Sequence, residues 1–156
     1  MRLVTFDAGS GPRAGVQTDS GILDAMDLLG ENGHGGVRRL IAGDRLSDLK
    51  VAVEAGNGEA VDASSVRILA PVPEPDKIIC IGLNYRAHAK ETGQETPRAP
   101  IIFGKYRNAL AADGDGVKLP AASTKVDYEA EVAFVIGRRA SEVAVEEALD
   151  HVAGYT

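Results

Sequence analysis

Residues 1 to 70 alternate between short apolar runs and turn-forming residues. RLVTFD alternates apolar and polar positions, AGSGPRAG is rich in turn formers, and GVQTDSGILDA returns to alternation. This pattern predicts a hairpin-like arrangement of strands at the start of the chain. A partly helical pattern follows from Gly43 to Leu49 and through VAVEAGNGEA, where Gly56 and Gly58 end it. We therefore predict a small amino-terminal domain over residues 1–70, with short strands and one helical stretch.

Three prolines, Pro71, Pro73 and Pro75, stand within five residues. Proline has no N–H to donate and its ring fixes φ, so this segment continues neither a helix nor a central strand. We place a domain boundary here, which makes residues 71–156 a second domain.

The second domain opens with a strand pattern followed by a short helix. DKIICIGLNY is rich in β-branched residues, as in a buried strand, and NYRAHAKETG predicts a helix with Asn84 as its cap and Gly93 as its stop. Further strands are predicted at APIIFGK and from Val126 to Gly137, and a helical pattern runs through EVAVEEALDHVAGYT to Gly154. This mixture of strand and helix patterns predicts an α+β fold.

The composition is that of a globular protein with an aliphatic core, since 44% of the residues are hydrophobic, 26% are charged and Trp is absent. The net charge of −6 opposes nucleic-acid binding, which depends on clustered Lys and Arg. Cys80, the single cysteine, allows no internal disulfide. We find neither a signal peptide nor an apolar run of about 18 residues. We expect a soluble, cytoplasmic protein without nucleic-acid or membrane partners.

Carboxylates recur at every second position of the predicted strand Val126 to Gly137. Because strand side chains alternate between faces, Asp127, Glu129 and Glu131 would share one face. Residues two apart lie roughly 6.5–7 Å apart, which lets two Glu side chains converge on one ion such as Mg²⁺. The apolar continuation VAFVIG favours a core strand, where unpaired like charges are costly. A solvated acidic face is the alternative, and the pattern leaves both open.

His88 and Glu91 lie three residues apart on the predicted helix and so on one face. A carboxylate beside a histidine fixes its tautomer and raises its basicity, which is a general-base arrangement. An ordinary exposed helix has the same spacing.

Lys105 follows APIIFG at a predicted strand end, where a lysine can bind a substrate carboxylate or stabilise an oxyanion. A solvated surface lysine is the alternative. Arg86, Lys90 and Arg107 are candidates for a basic rim that attracts an anionic substrate.

Asp113 and Asp115 form a DxDG sequence of the kind found in calcium loops. A calcium-binding EF-hand needs flanking helices and a Glu at the twelfth loop position, where Thr124 stands here. We therefore predict a tight turn.

Four segments together resemble the fumarylacetoacetate hydrolase family: KIICIGLNYRAHAKETG, PIIFGK, VDYEAEVAFVIGRR and EEALDHVAGYT, in that order over residues 76 to 156. The resemblance implies a mixed β-sandwich or roll as the catalytic domain, preceded by a small α+β amino-terminal domain, and a homodimer. The third metal ligand of the family is a later aspartate. We therefore expect the catalytic domain to be incomplete at Thr156 and the isolated segment to have little activity.

The resemblance also assigns roles to residues. Glu129 and Glu131 match the two glutamate ligands of a Mg²⁺ ion, with Mn²⁺ or Ca²⁺ as alternatives. His88 and Glu91 match a pair on a mobile lid helix, where the histidine activates water. Lys105 matches a substrate-binding lysine, and Asp127 matches an acid outside the ligand set.

These matches imply a metal-dependent hydrolase that cleaves a carbon–carbon bond in a small anionic β-dicarbonyl or 2-oxo acid, such as an acylpyruvate or a fumarylacetoacetate-like compound. The metal acts as a Lewis acid that stabilises an enolate. A decarboxylase, isomerase or lyase of the same family, acting for example on oxaloacetate, is the alternative enzyme. A non-catalytic binding or assembly fragment is the third hypothesis.

Overall fold

The computed structural model describes residues 1–156, and they separate into two units. One unit comprises Met1–Val72 and Ala111–Thr156, and the other comprises Pro73–Leu110. The first division falls within the proline segment. The expected domains 1–70 and 71–156 stay a prediction.

The amino-terminal module, defined as residues 1–72, is built on a five-stranded antiparallel sheet in the order β4-β3-β2-β1-β5. The hairpin predicted at its start is confirmed, because β1 and β2 pair from Leu3 opposite Val16 to Asp7 opposite Pro12. The strands are β1 (Leu3–Asp7), β2 (Pro12–Thr18), β3 (Gly21–Asp24), β4 (Ala60–Val61) and β5 (Arg67–Leu69).

Three helices cover one face of this sheet: α1 (Ala25–Leu28), α2 (Gly36–Ala42) and α3 (Leu46–Glu54). The helical pattern predicted after Gly43 is confirmed by α3, whereas α1 and α2 were not predicted. Asp24 caps α1 by accepting the N–H groups of Met26 and Asp27. A short 3₁₀ turn, Ala63–Ser65, precedes β5.

Two apolar clusters lie on opposite faces of the sheet. The helix side buries Ala14, Val16, Met26, Leu40 and Leu49 among its members. The other side buries Val4, Phe6 and Ile22 against the partly buried Ala63, Val66 and Ile68. Every buried apolar residue of the structure except Ala89 lies between Val4 and Leu49, so the protein's dense core belongs to the amino-terminal module.

Residues 111–156 form a two-stranded antiparallel ribbon and irregular segments. Strands β8 (Phe134–Ile136) and β9 (Val152–Tyr155) pair, and Phe134 meets Tyr155 edge to face at 5.1 Å. A 3₁₀ helix, Val145–His151, precedes β9. The helix predicted to reach Gly154 is therefore wrong at its end, because residues 152–155 pair with β8 instead.

The strand predicted from Val126 to Gly137 is largely wrong. Only Phe134–Ile136 is strand, and residues 124–132 are irregular. The ladder with β9 ends where Ala133 and Thr156 exchange backbone hydrogen bonds, so the earlier residues lie beside no neighbouring strand. The expectation of a core strand is also wrong, since Val132 is 62% exposed and Ile136 58% exposed.

Residues 73–110 form a hairpin of strands around a helix. Strands β6 (Ile78–Gly82) and β7 (Ile101–Lys105) are antiparallel and pair from Ile78 opposite Lys105 to Gly82 opposite Ile101. Helix α4 (Arg86–Glu91) lies between them in sequence, and a 3₁₀ turn, Arg107–Ala109, follows β7. The predicted α+β composition is confirmed.

Candidate functional site

Helix α4 presents the predicted His88 and Glu91 pair. Ala89 is buried, whereas His88 is half-buried and Glu91 is exposed at the last position of the helix. Residues three apart on a helix project from neighbouring positions of one face. The helix therefore presents an imidazole and a carboxylate on the same side.

The ends of α4 explain its shortness. Tyr85 is the N-cap without a side-chain cap bond, so the prediction that Asn84 caps the helix is wrong by one residue. The predicted stop is confirmed, because Gly93 adopts a left-handed φ of 69° and its N–H bonds to the Lys90 carbonyl. At the carboxyl end of the helix, Thr92 Oγ1 donates a hydrogen bond to the carbonyl of His88 at 3.0 Å.

Lys105 is the last residue of β7, at the strand end where it was predicted. Its side chain is exposed and its Cα partner in the ladder is Ile78. Lys105, His88 and Glu91 thus all belong to the unit Pro73–Leu110. An exposed ammonium at a strand end is free to pair with an anion from solution.

Glu129 and Glu131 lie in the irregular segment before β8, and both are exposed. The Asp127 carboxylate accepts the N–H of Tyr128 at 2.8 Å, so it turns towards its own backbone. The argument that three acids share one strand face therefore fails. The two glutamates belong to the unit that contains residues 111–156.

The donor chemistry of these glutamates suits a hard divalent cation, since Mg²⁺ and Mn²⁺ prefer carboxylate oxygen. The structure groups no three His, Cys, Asp or Glu side chains in a way that could hold a metal ion. The assignment of Glu129 and Glu131 as two members of a metal-ligand set therefore stays a prediction.

The DxDG segment is a tight turn, as predicted. The Asp115 N–H donates to the Ala112 carbonyl at 3.1 Å, the Ala112 N–H donates to Asp115 Oδ2 at 2.8 Å, and Gly114 has a φ of 80°. The Ala112 N–H and then the Arg67 guanidinium hold the pKa of Asp115 below its usual range.

A cavity of about 210 Å³ lies in the amino-terminal module and includes none of the predicted site residues. Three acidic residues, Asp24, Asp27 and Glu59, are among those that line it. Arg13 forms ion pairs with both aspartates, so these two carboxylates already have a structural partner.

No helix in the structure combines the length and the apolar character needed to span a bilayer.

The family described as "Fumarylacetoacetate (FAA) hydrolase C-terminal" matches residues 77–156. Among curated relatives, a mitochondrial oxaloacetate tautomerase of Xenopus laevis is 35% identical over 161 residues, covering 100% of this chain and 50% of its own length. A fumarylacetoacetate hydrolase domain-containing protein 2 homologue of Dictyostelium discoideum is 36% identical over 100% of this chain and 52% of its own. The chain thus spans about half the length of these relatives.

Solved structures give the same result for the fold. Maleylpyruvate hydrolase from Sphingobium sp. SYK-6, crystallised with manganese(II) and pyruvate, is 32% identical with a TM-score of 0.75, covering 99% of this chain and 56% of that chain. Fumarylacetoacetate hydrolase from Exiguobacterium antarcticum is 26% identical with a TM-score of 0.68, covering 99% and 53%. The predicted family-like fold is confirmed, for the half of these proteins that the chain covers.

Proposed function

Because the chain belongs to the fumarylacetoacetate hydrolase family, we propose that it provides the general base and two metal ligands of a divalent-metal-dependent hydrolase. The substrate is a small anionic β-dicarbonyl acid, such as an acylpyruvate or a fumarylacetoacetate-like compound. The observation that carries this proposal is the similarity to a maleylpyruvate hydrolase crystallised with manganese(II) and pyruvate.

His88 is the proposed general base. It is half-buried on α4, and Glu91 stands one helical turn later. An imidazole nitrogen of His88 takes a proton from water while the Glu91 carboxylate orients the ring. The water oxygen then adds to a substrate carbonyl carbon, and the adjacent carbon–carbon bond breaks with its electron pair passing to the leaving carbon. The proton held by His88 is transferred to that carbon, which gives two acids.

Lys105 is the proposed anchor for the substrate carboxylate. Its ammonium group is exposed at the end of β7, and the substrate class is anionic. A lysine there compensates locally for the protein's net charge of −6. Arg86, Lys90 and Arg107 are further cations of the same unit that would attract such a substrate.

Glu129 and Glu131 are the proposed carboxylate ligands of Mg²⁺, with Mn²⁺ or Ca²⁺ as alternatives. A bound divalent ion supplies Lewis-acid stabilisation of negative charge on the substrate oxygens. The neighbour with manganese supports a divalent metal in this family. We further propose that the protein is a homodimer, from the family resemblance, and that it acts in the cytoplasm, from its single cysteine. Several relatives are named as mitochondrial.

Keto–enol tautomerisation of oxaloacetate is the second candidate function. Its support is the 35% identity with proteins named oxaloacetate tautomerase. Tautomerisation moves a proton between carbon and oxygen, needs no added water and breaks no carbon–carbon bond. Decarboxylation of the same 2-oxo acid would instead release CO₂.

Product analysis separates these reactions. The full natural polypeptide that carries this chain is incubated with Mn²⁺ and either acetylpyruvate or enol-oxaloacetate, and the products are followed by NMR. Hydrolase activity converts acetylpyruvate to acetate and pyruvate. Conversion of enol-oxaloacetate to the keto acid, with acetylpyruvate left intact, would contradict the hydrolase proposal and support the tautomerase. A protein that converts neither substrate would refute both proposed activities.

A further inference from the structure

Helix α4 is short for the task that the proposed function gives it. It has six residues, whereas isolated helices of fewer than about 12–15 residues are marginal in water. The proposed base His88 and its partner Glu91 lie in the last turn of this helix. They project from one face only while that turn is helical. The bonds that hold the last turn therefore determine whether the two side chains face the same way.

The N-terminal end of α4 contributes little to its stability. Tyr85 makes no side-chain cap bond, and the first turn contains no acidic residue. The first turn contains Arg86 instead, a cation that the positive end of the helix dipole disfavours. Ala89 is buried, but its side chain is a single methyl group. The stabilising bonds are therefore to be sought at the C-terminal end.

That end carries a complete Schellman motif, which is defined by two backbone hydrogen bonds. The Gln94 N–H donates to the Ala89 carbonyl at 2.8 Å. The Gly93 N–H donates to the Lys90 carbonyl at 3.2 Å. Gly93 is the left-handed residue of the motif, with a φ of 69° and open space where a Cβ atom would stand. Another residue at this position would suffer backbone strain but no clash.

Thr92 adds a side-chain donor to the same turn. Its N–H and its Oγ1 each donate to the His88 carbonyl at 3.0 Å. The Oγ1 atom also lies 3.2 Å from the Ala89 carbonyl, so its hydrogen can serve either acceptor. A threonine hydroxyl readily bonds a carbonyl three or four residues earlier in a helix. Thr92 thus binds directly to the backbone of the proposed base.

We propose that Thr92 and Gly93 are positioning residues for the pair of His88 and Glu91. They keep the last turn of α4 helical, and so keep the imidazole and the carboxylate on the same side of the helix. A pair that is already in place needs no reorganisation before the imidazole takes a proton from water. The link to catalysis rests on the proposed function, whereas the stabilisation of the turn does not.

The first test follows the turn itself by NMR in the 156-residue chain. The nuclear Overhauser effect between the Hα of His88 and the Hβ of Glu91 reports that these residues are one helical turn apart. Amide exchange at residues 92–94 reports how often the last turn opens. Thr92→Val removes the hydroxyl and keeps the branched shape, whereas Thr92→Ser keeps the hydroxyl. Gly93→Ala introduces the backbone strain.

Gly56→Ala is the matched control for Gly93→Ala. Gly56 follows the C-cap of α3 as Gly93 follows that of α4, and it has a φ of 70° with open space around it. Its N–H donates to the Val53 carbonyl at 3.0 Å, the equivalent bond of that helix end. The control therefore introduces the same strain at a helix that carries none of the proposed site residues.

Gly93→Ala should weaken the signal between His88 and Glu91 and speed exchange at residues 92–94 about 5- to 30-fold, the equivalent of left-handed strain. Thr92→Val should speed exchange about 2- to 10-fold, the net effect of one hydrogen bond. Thr92→Ser and Gly56→Ala should leave both measurements unchanged. A change at Thr92 or Gly93 that leaves the signal and the exchange rates as they were overturns the role of that residue.

The second test measures kcat and KM of the full natural polypeptide with Mn²⁺ and acetylpyruvate. Thr92→Val should lower kcat by up to about 10-fold and change KM little, and Thr92→Ser should restore kcat. A Thr92→Val protein that loses the NMR signal but keeps its kcat overturns the positioning role. Failure of the proposed function would look different, because the unchanged polypeptide would then show no turnover and the NMR result alone would decide the proposal.

Discussion

A Cβ atom on Gly36 would lie 2.6 Å from Thr5 Oγ1, so the hydroxyl that holds Pro71 occupies space that only a glycine leaves open. Gly36 also has a left-handed φ of 62°. Glycine is therefore required here both for its backbone conformation and for the close approach.

Gly36→Ala should lower the free energy of unfolding by about 2–4 kcal/mol, from backbone strain of about 1–2 kcal/mol and the clash with Thr5. Gly30→Ala is the matched control, because Gly30 has a φ of 65° but open space around it. It should cost about 1–2 kcal/mol, the strain alone. Chemical denaturation measures both, and equal losses would show that the close approach contributes nothing.

Substitution of His88 tests the general base. His88→Gln in the full natural polypeptide should lower kcat about 10²- to 10⁴-fold, the usual contribution of general acid–base catalysis. Glu91→Gln should lower kcat less, because it removes an orienting group and keeps the base. His34→Gln changes an exposed histidine of the module and is the control. A His88→Gln protein with unchanged kcat would favour the non-catalytic hypothesis.

The carboxylate of Asp7 makes the stability of the module depend on pH. The N–H groups of Gly11 and Gly9 donate to Asp7 Oδ1 and hold its pKa below the usual range. A pKa lower in the folded state gives a stabilising contribution that is present above the unfolded pKa of about 4 and is lost as pH falls through the folded pKa.

Unfolding of the wild type and Asp7→Asn is therefore compared between neutral and acidic pH. The difference in their free energies of unfolding should be largest near neutral pH and should shrink as the solution is acidified below about pH 4. A difference that is constant over this range would contradict the assignment.

The β6–β7 hairpin exposes apolar side chains that a monomer would leave in water. All exposed large apolar residues except Met1 and Val51 lie between Ile79 and Tyr155. Ile81 and Ile102 are direct cross-strand partners, and Ile102 is 67% exposed. Such surfaces favour association.

The double change Ile81→Thr with Ile102→Thr should weaken self-association in analytical ultracentrifugation, since threonine keeps the preference for strand but removes apolar area. Val51→Thr, at an equally exposed position on α3, should leave it unchanged. If all three proteins associate to the same extent, the hairpin is not the surface involved.

Patterns among neighbouring residues predicted the elements that interactions between neighbouring residues stabilise. The β1–β2 hairpin follows from alternation and turn glycines, and α4 follows from its pattern and the stop at Gly93. Helices α1 and α2 were missed because both are short and owe their stability to tertiary burial of residues such as Met26 and Leu40.

Other features depend on distant residues. The alternating acids before Phe134 would form a strand only if a neighbouring strand paired with them. Residues 124–132 have no such pairing partner. The pairing of Arg67 with Asp115 joins residues 48 positions apart, so no spacing rule could predict it. For Glu129 and Glu131, the spacing in the sequence predicts carboxylate donors, and their role as metal ligands stays a prediction.

Binding of Mn²⁺ to Glu129 and Glu131 is the most direct test of the central claim. Paramagnetic broadening of the amide NMR signals by Mn²⁺ falls steeply with distance from the ion and also detects weak binding. In the 156-residue chain, substoichiometric Mn²⁺ should broaden the signals of residues 127–133. The double change Glu129→Gln with Glu131→Gln should abolish this broadening. The control double change, Glu146→Gln with Glu147→Gln, should leave the broadening in place. Broadening that survives the first double change, or that never appears at residues 127–133, would contradict the proposed metal site.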